Sequence, residues 1–188
     1  MNYEVIVIGT SWGGLDAVSR LLDGLHDSVR QPIVVAQHRS VDSQDGTLAG
    51  LLSQHTRRTV CDPDDKTALE DYHVYLCPPD YHALLEDGHV ALSTDEPVQY
   101  ARPSVDVLFE SAADAYGERA IGIVLTGANQ DGARGLAKIK ELGGVAIVQD
   151  PATSTRRTMP DAAIAATHAD AVLPLDEIPK FLYGLVCA

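Results

Sequence analysis

The sequence runs to 188 residues with 45% hydrophobic content, which suits one domain with a sizeable core and leaves no room for wholesale disorder. Its formal net charge of −13 repels phosphate backbones, which argues against nucleic acid and anionic membrane surfaces as partners. No apolar run approaches the length a bilayer demands and no basic-flanked leader opens the chain, so a cytoplasmic protein without membrane insertion is expected.

Taken in chain order, β-branched apolar runs alternate with amphipathic stretches of helical spacing, the pattern of a parallel α/β protein. Strands are expected near 4–9, 33–37, 74–77, 120–125, 145–148 and 171–173. Helices are expected after Gly13, Ser43, Ser104, Asp131, Pro160 and Leu175, with Ser104 as an N-cap behind Pro103. The helix at Asp131 or Gly132 should run to about Leu142, where Gly143-Gly144 stops it. Residues 82–86 and 89–93 flank Asp87-Gly88 and read as an antiparallel hairpin, with His82 and His89 beside it facing solvent. Residues 62–71 are acidic and irregular but too short to divide the chain, so one domain spanning 1–188 is expected.

The bias of 19 Asp over 8 Glu and 10 Arg over 4 Lys fits either a high-salt cytoplasm or a GC-rich genome. Cys61, Cys77 and Cys187 form no C-x-x-C pair, and the seven histidines show no H-x-x-x-H or H-x-H spacing. Reduced thiols and no metal site are therefore expected.

The first strand ends in Gly9-Thr10-Ser11-Trp12-Gly13-Gly14. The dinucleotide fingerprint G-x-G-x-x-G fails at Ser11, whereas G-x-S-x-G fits the strand–turn–helix elbow of a nucleophilic serine. The other reading is a tight turn with a capping serine. The second strand ends at His38 and the run 121–125 leads through Thr126-Gly127-Ala128-Asn129-Gln130 to Asp131. Singly, His38 is a polar rim residue and Asp131 a helix cap. In an open parallel sheet, however, all carboxyl ends share one edge, so Ser11, His38 and Asp131 face one crevice as nucleophile, base and orienting acid. His38 is then expected within hydrogen-bond reach of both Ser11 Oγ and Asp131, or slightly beyond it for the serine in an unliganded site. The chain order Ser…His…Asp differs from that of α/β-hydrolases.

These segments resemble the catalytic domain of the chemotaxis protein-glutamate methylesterases, the CheB family. That family carries G-x-S-x-G-G, Q-H, R-P-S-x-D, L-T-G-x-x-x-D-G-A-x-G and T-S-x-x-x-M-P. Here the matching residues are 9–14, Gln37-His38, 102–106, 125–135 and 153–160, in the same order and spacing from about residue 3 to 186. The resemblance implies a three-layer αβα fold around a mostly parallel, Rossmann-like sheet, and a Ser11–His38–Asp131 triad without metal or organic cofactor. It also implies hydrolysis of glutamate γ-methyl esters on chemoreceptor cytoplasmic segments, with deamidation of receptor glutamines as a related activity. Backbone N–H groups of Trp12 and Ala128 would serve the oxyanion, while Arg102 and Met159 would line the substrate crevice. Trp12, Arg39, Ala128 and Arg157 depart from the family's usual residues, which leaves the rim and the natural target open. Many members carry an N-terminal receiver domain. Because this sequence opens on the catalytic strand, constitutive activity is expected, with room for a separate regulatory or methyltransferase partner. Two rivals remain: a small-molecule esterase or amidase using the same triad, and a non-catalytic nucleotide-binding or adaptor module.

Overall fold

Runs such as Val5-Ile6-Val7-Ile8 are apolar at every position, which suits a strand covered on both faces rather than one. The computed structural model describes residues 2–38 and 47–187 and uses these runs in that way. Its elements are β1 (Val5–Thr10), α1 (Gly14–Gly24), β2 (Ile33–Gln37), α2 (Thr47–Leu52), β3 (Thr59–Cys61), β4 (Thr67–Ala68), β5 (His73–Leu76) and the hairpin β6 (His82–Glu86) and β7 (His89–Ser93). They continue with α3 (Val105–Tyr116), β8 (Ala120–Val124), α4 (Ala133–Glu141), β9 (Val145–Gln149), α5 (Thr158–Ala166), β10 (Ala171–Leu173) and α6 (Ile178–Cys187).

Seven strands form a parallel sheet in the order β10-β9-β8-β1-β2-β5-β3. Successive residues of β1 face opposite layers. Ile6 and Ile8 pack with Leu21, Leu52, Ile178 and Leu182 of α1, α2 and α6, while Val5 and Val7 pack with Leu108, Phe109, Leu136 and Ala163 of α3, α4 and α5. The result is a three-layer αβα arrangement whose sheet is buried on both sides. From β1 the chain moves to β2 on one side, then returns to build β8, β9 and β10 on the other. The order reverses between β2 and β8 around β1, and a parallel sheet opens a crevice at such a switch point, outside the carboxyl ends. Among the described residues, no helix is long and apolar enough to cross a membrane.

The expected hairpin is present, with Glu86 paired to His89 and Gly88 at φ +79°. It is one strand larger than the sequence suggests, because Thr67–Ala68 from the acidic stretch pairs antiparallel with β7. β3, at the other edge of the main sheet from β10, also lies outside the expected strands. His82 is buried rather than solvent-facing: its Nδ1 accepts from Ser104 N at 3.2 Å and its Nε2 lies 3.2 Å from the Glu96 carbonyl. The α5 helix begins at Thr158, three residues before the expected start after Pro160, because proline is tolerated within a first helical turn. A 3-10 turn over Leu175–Glu177 precedes α6. The expected cap Ser43 lies outside the described residues, and α2 begins at Thr47.

Helices α3 and α4 cross closely at Gly135, where an added Cβ would sit 2.5 Å from Phe109 Cβ and 3.0 Å from the Asp106 carbonyl oxygen. Backbone cannot rotate away as a side-chain tip can, so Gly135→Ala should lower unfolding stability by about 1–3 kcal/mol. Gly184 on α6 meets nothing within 4 Å, and Gly184→Ala should be neutral or stabilising by up to about 1 kcal/mol. Urea denaturation of the two variants checks both signs.

Candidate active site

The turn after β1 is held from the neighbouring strand. Ser11 N donates to the Thr126 carbonyl at 3.0 Å, Thr10 Oγ1 donates to the same oxygen at 2.8 Å, and Thr126 Oγ1 reaches the Trp12 carbonyl at 3.0 Å. Gly13 sits at φ +81° and its missing Cβ would lie 2.8 Å from Thr155, so a side chain there meets both strain and a clash. Gly13 is the N-cap of α1 and no side chain caps that helix. Ser11 is therefore not the capping serine of the alternative reading. Among the described residues its hydroxyl holds no hydrogen bond, while the residue remains partly exposed above the sheet edge.

Asp131 does not cap the helix that follows it. Its carboxylate instead receives the N-terminus of α3: Oδ1 accepts from Ser104 Oγ and Asp106 N, each at 2.9 Å, and Oδ2 accepts from Val105 N at 2.7 Å. Asp106, in the first turn of α3, returns the favour to α4, with Oδ1 accepting from Gly132 N at 2.9 Å and Gly135 N at 2.8 Å. Each helix thus lends a carboxylate to the other's positive end. The remaining site on Asp131 Oδ2 is filled by His38 Nε2 at 2.8 Å.

The two carboxyls respond oppositely. Burial pushes Asp131 up, but the hydrogen bonds from His38, Asp106 N and Val105 N outweigh it and hold the carboxyl below its ordinary value. For Asp106 burial wins, with the Asp131 charge adding to it, against the donors from Gly135 and Gly132, and its carboxyl is raised.

The far side of the imidazole holds a residue that motif reading passed over. Asn129 Nδ2 lies 3.0 Å from His38 Nδ1, and Asn129 Oδ1 accepts from Asp131 N at 3.2 Å. An oxygen committed to a backbone N–H leaves only the NH2 group for the ring, so Nδ1 is an acceptor and Nε2 carries the proton that Asp131 receives. The expected hydrogen bond between His38 and Ser11 is consequently absent among the described residues, because Asn129 occupies the nitrogen that would make it. The two-residue spacing from Asn129 to Asp131, typical of an Asx turn, was the available signal.

The rim divides. Trp12 is 62% exposed, with the Arg156 guanidinium 5.8 Å from its ring centre, and Ala128 is exposed. Their backbone N–H groups have no hydrogen-bond partner among the described residues. Arg102 borders a 360 Å³ cavity shared with His38, Gln99, Tyr100 and Asn129. Its guanidinium is held there by Asp80 and by the Thr94 and Asp95 carbonyls. Met159 is 1% exposed and fills the space beneath Gly127, behind Ser11, so it supports the crevice floor rather than lining the rim. Arg157 is paired with Asp161 at 2.6 Å, and Arg39 lies outside the described residues. Among the described residues no three His, Cys, Asp or Glu side chains are grouped to hold a metal.

A family model described as CheB methylesterase matches residues 6–182. A putative protein-glutamate methylesterase/protein-glutamine glutaminase of Leptospira interrogans is 44% identical over 186 residues, covering 98% of this chain and 96% of that protein. The protein-glutamate methylesterase/protein-glutamine glutaminase 2 of Anaeromyxobacter dehalogenans is 43% identical over 182 residues, and the match spans 97% of this chain but 53% of that protein. The crystal structure of the Thermotoga maritima CheB methylesterase catalytic domain is similar with a TM-score of 0.92 at 32% identity, covering 99% of this chain and 100% of that one.

The opposed carboxyls give a stability prediction whose sign is fixed. A depressed carboxyl stabilises the fold above its ordinary pKa and loses that contribution as pH falls through the folded value; a raised one contributes below its ordinary pKa and loses it as pH rises. At pH 7, Asp131→Asn should therefore cost about 1–3 kcal/mol. Asp106→Asn should fall within about 1 kcal/mol of the parent, on either side. Urea melts as a function of pH check this, and the Asp131→Asn deficit should narrow below pH 3.8, the ordinary carboxyl value.

Proposed function

The chain belongs to the CheB methylesterase family, and from that premise we propose that it is a serine hydrolase that removes methyl esters from glutamate side chains of chemoreceptor cytoplasmic segments. Deamidation of receptor glutamines is the companion activity, since an amide and an ester present the same carbonyl to the same nucleophile. The observation that carries the reading is the 2.8 Å contact between His38 Nε2 and a saturated, buried Asp131, at the same sheet edge as a serine whose hydroxyl holds no hydrogen bond among the described residues.

In the proposed reaction Ser11 Oγ bonds to the ester carbonyl carbon as its proton passes to His38 Nδ1. The carbonyl electrons collect on an oxyanion beside the Trp12 and Ala128 N–H groups and the N-terminal end of α1. That oxygen then re-forms its double bond, the ester C–O bond breaks, and methanol leaves with the proton from Nδ1. Water repeats the sequence on the glutamyl-enzyme, giving the free glutamate carboxylate and restoring Ser11. Asp131 keeps the ring in the Nε2–H tautomer and stabilises the imidazolium. For a glutamine the leaving group is ammonia.

Methanol release from methyl-labelled receptors tests the reading. The intact chain should release it, and Ser11→Ala should be slower by about four to six decades, as should His38→Ala. Release undiminished in Ser11→Ala would overturn the nucleophile. Turnover of p-nitrophenyl esters with none on receptors would transfer the site to a small-molecule esterase.

A further inference from the structure

Asn129 is fixed at one end before it meets the histidine. Its Oδ1 takes the Asp131 amide at 3.2 Å, its Nδ2 points to His38 Nδ1 at 3.0 Å, and Asp131 closes the triangle by binding His38 Nε2 at 2.8 Å. One segment, Asn129-Gln130-Asp131, therefore grips the imidazole from both nitrogens. The two grips have different chemistry. A carboxylate accepts and an amide NH2 donates, so the ring fits between them as the neutral Nε2–H tautomer alone; reversing it would set N–H against N–H at one end and a lone pair against a carboxylate at the other.

We propose that Asn129 is a positioning residue for the hydrolytic reaction: it selects the tautomer of His38 and keeps the base nitrogen Nδ1 occupied until Ser11 and an ester displace it. The proposal rests on the hydrolase reading for its consequence, though not for its geometry. In the resting site the amide holds the lone pair against water from the adjoining 360 Å³ cavity. Ser11 can reach Nδ1 only after the amide has swung aside, and once the proton has passed, Nδ1–H and the Asn129 NH2 would be two facing donors, so the amide cannot return until the ring is neutral again. The grip thus favours the neutral, base-competent ring and releases the cation. Among the described residues, the other charged or titratable groups around His38 are Asp131 at Nε2 and, across the cavity, Asp80, Arg102 and Tyr100, with Asp80 and Arg102 paired to each other.

A donor to the neutral form opposes protonation, so removing it must favour the cation, and replacing it by a carboxylate must favour the cation more. The test measures the His38 titration by imidazole NMR in the intact chain and in the Asn129→Ala and Asn129→Asp variants, beside the pH profile of ester hydrolysis. In Asn129→Ala the midpoint and the acid limb should rise by about 0.5–1 pH unit. In Asn129→Asp both should rise by about 1–3 units, leaving this near-isosteric variant slower than alanine at pH 7. Should Asn129→Ala melt, Asn129→Ser keeps an acceptor for the Asp131 amide and takes its place. A merely structural asparagine predicts the opposite ranking, with the isosteric change the milder. An unchanged titration, or alanine the more perturbed, overturns the proposal. Because the NMR titration needs no turnover, an intact chain that releases no methanol yet shows the expected ranking would fail the hydrolase reading while supporting this one.

Discussion

The architecture around the site depends on one buried carboxylate having four donors. Asp131 is fully enclosed, and a bare charge there would be prohibitively expensive to desolvate. Ser104 Oγ, Val105 N and Asp106 N supply three donors from the start of α3, and His38 Nε2 supplies the fourth. Three donors come from one helix end, so the position of Asp131 fixes α3; the fourth comes from another strand end, so it also fixes the imidazole. Asp131 is thus a structural keystone first, and the orienting role proposed for it follows from those same bonds.

Asp106 makes the arrangement reciprocal. It receives Gly132 N and Gly135 N at the start of α4, so α4 begins on a carboxylate of α3 and α3 on the carboxylate just ahead of α4. This requires close approach, which explains the small residues of the stretch. At Gly132, with φ +94°, and at Gly135, a Cβ would strike Val105 and Phe109 respectively. Two carboxylates this near each other cannot both be comfortable, and the burden falls on Asp106, whose carboxyl is raised by burial and by the charge of Asp131. Asp131 keeps its charge where the imidazole needs it.

Thr126 performs a parallel service for Ser11, the proposed nucleophile. Its carbonyl binds Ser11 N and Thr10 Oγ1, its hydroxyl bridges Trp12 O and Arg156, and its own N–H is held by Gln149 Oε1 at 2.9 Å. Loops following β1, β8 and β9 are therefore tied at one residue directly beneath the serine. Backbone tied in this way suits the proposed task of presenting N–H groups to an oxyanion without reorganising.

Much of this was legible in the chain. Runs of β-branched residues specify buried parallel strands, G-x-S-x-G specifies an elbow, and strand-end positions bring Ser11, His38 and Asp131 to one edge, because every carboxyl end of a parallel sheet shares it. Family motifs added the fold and the chemistry. The sequence reading went astray where the deciding partner is remote in sequence. His82 looked like a hairpin flank, yet Ser104 N and Glu96 O give its ring buried partners. Met159 was expected to line the crevice, yet it is buried beneath Gly127. Asn129 carried only the faint mark of an Asx turn, and its second bond reaches 91 residues back to His38. By itself the sequence determined the longer strands, the helices, the hairpin turn and the shared carboxyl edge, since periodicity, turns and strand direction are local properties of the chain. Only the tertiary structure decided which polar atom pairs with which, because hydrogen bonds are won by distance and angle within about 3 Å, a scale set by how the layers pack and invisible to residue spacing.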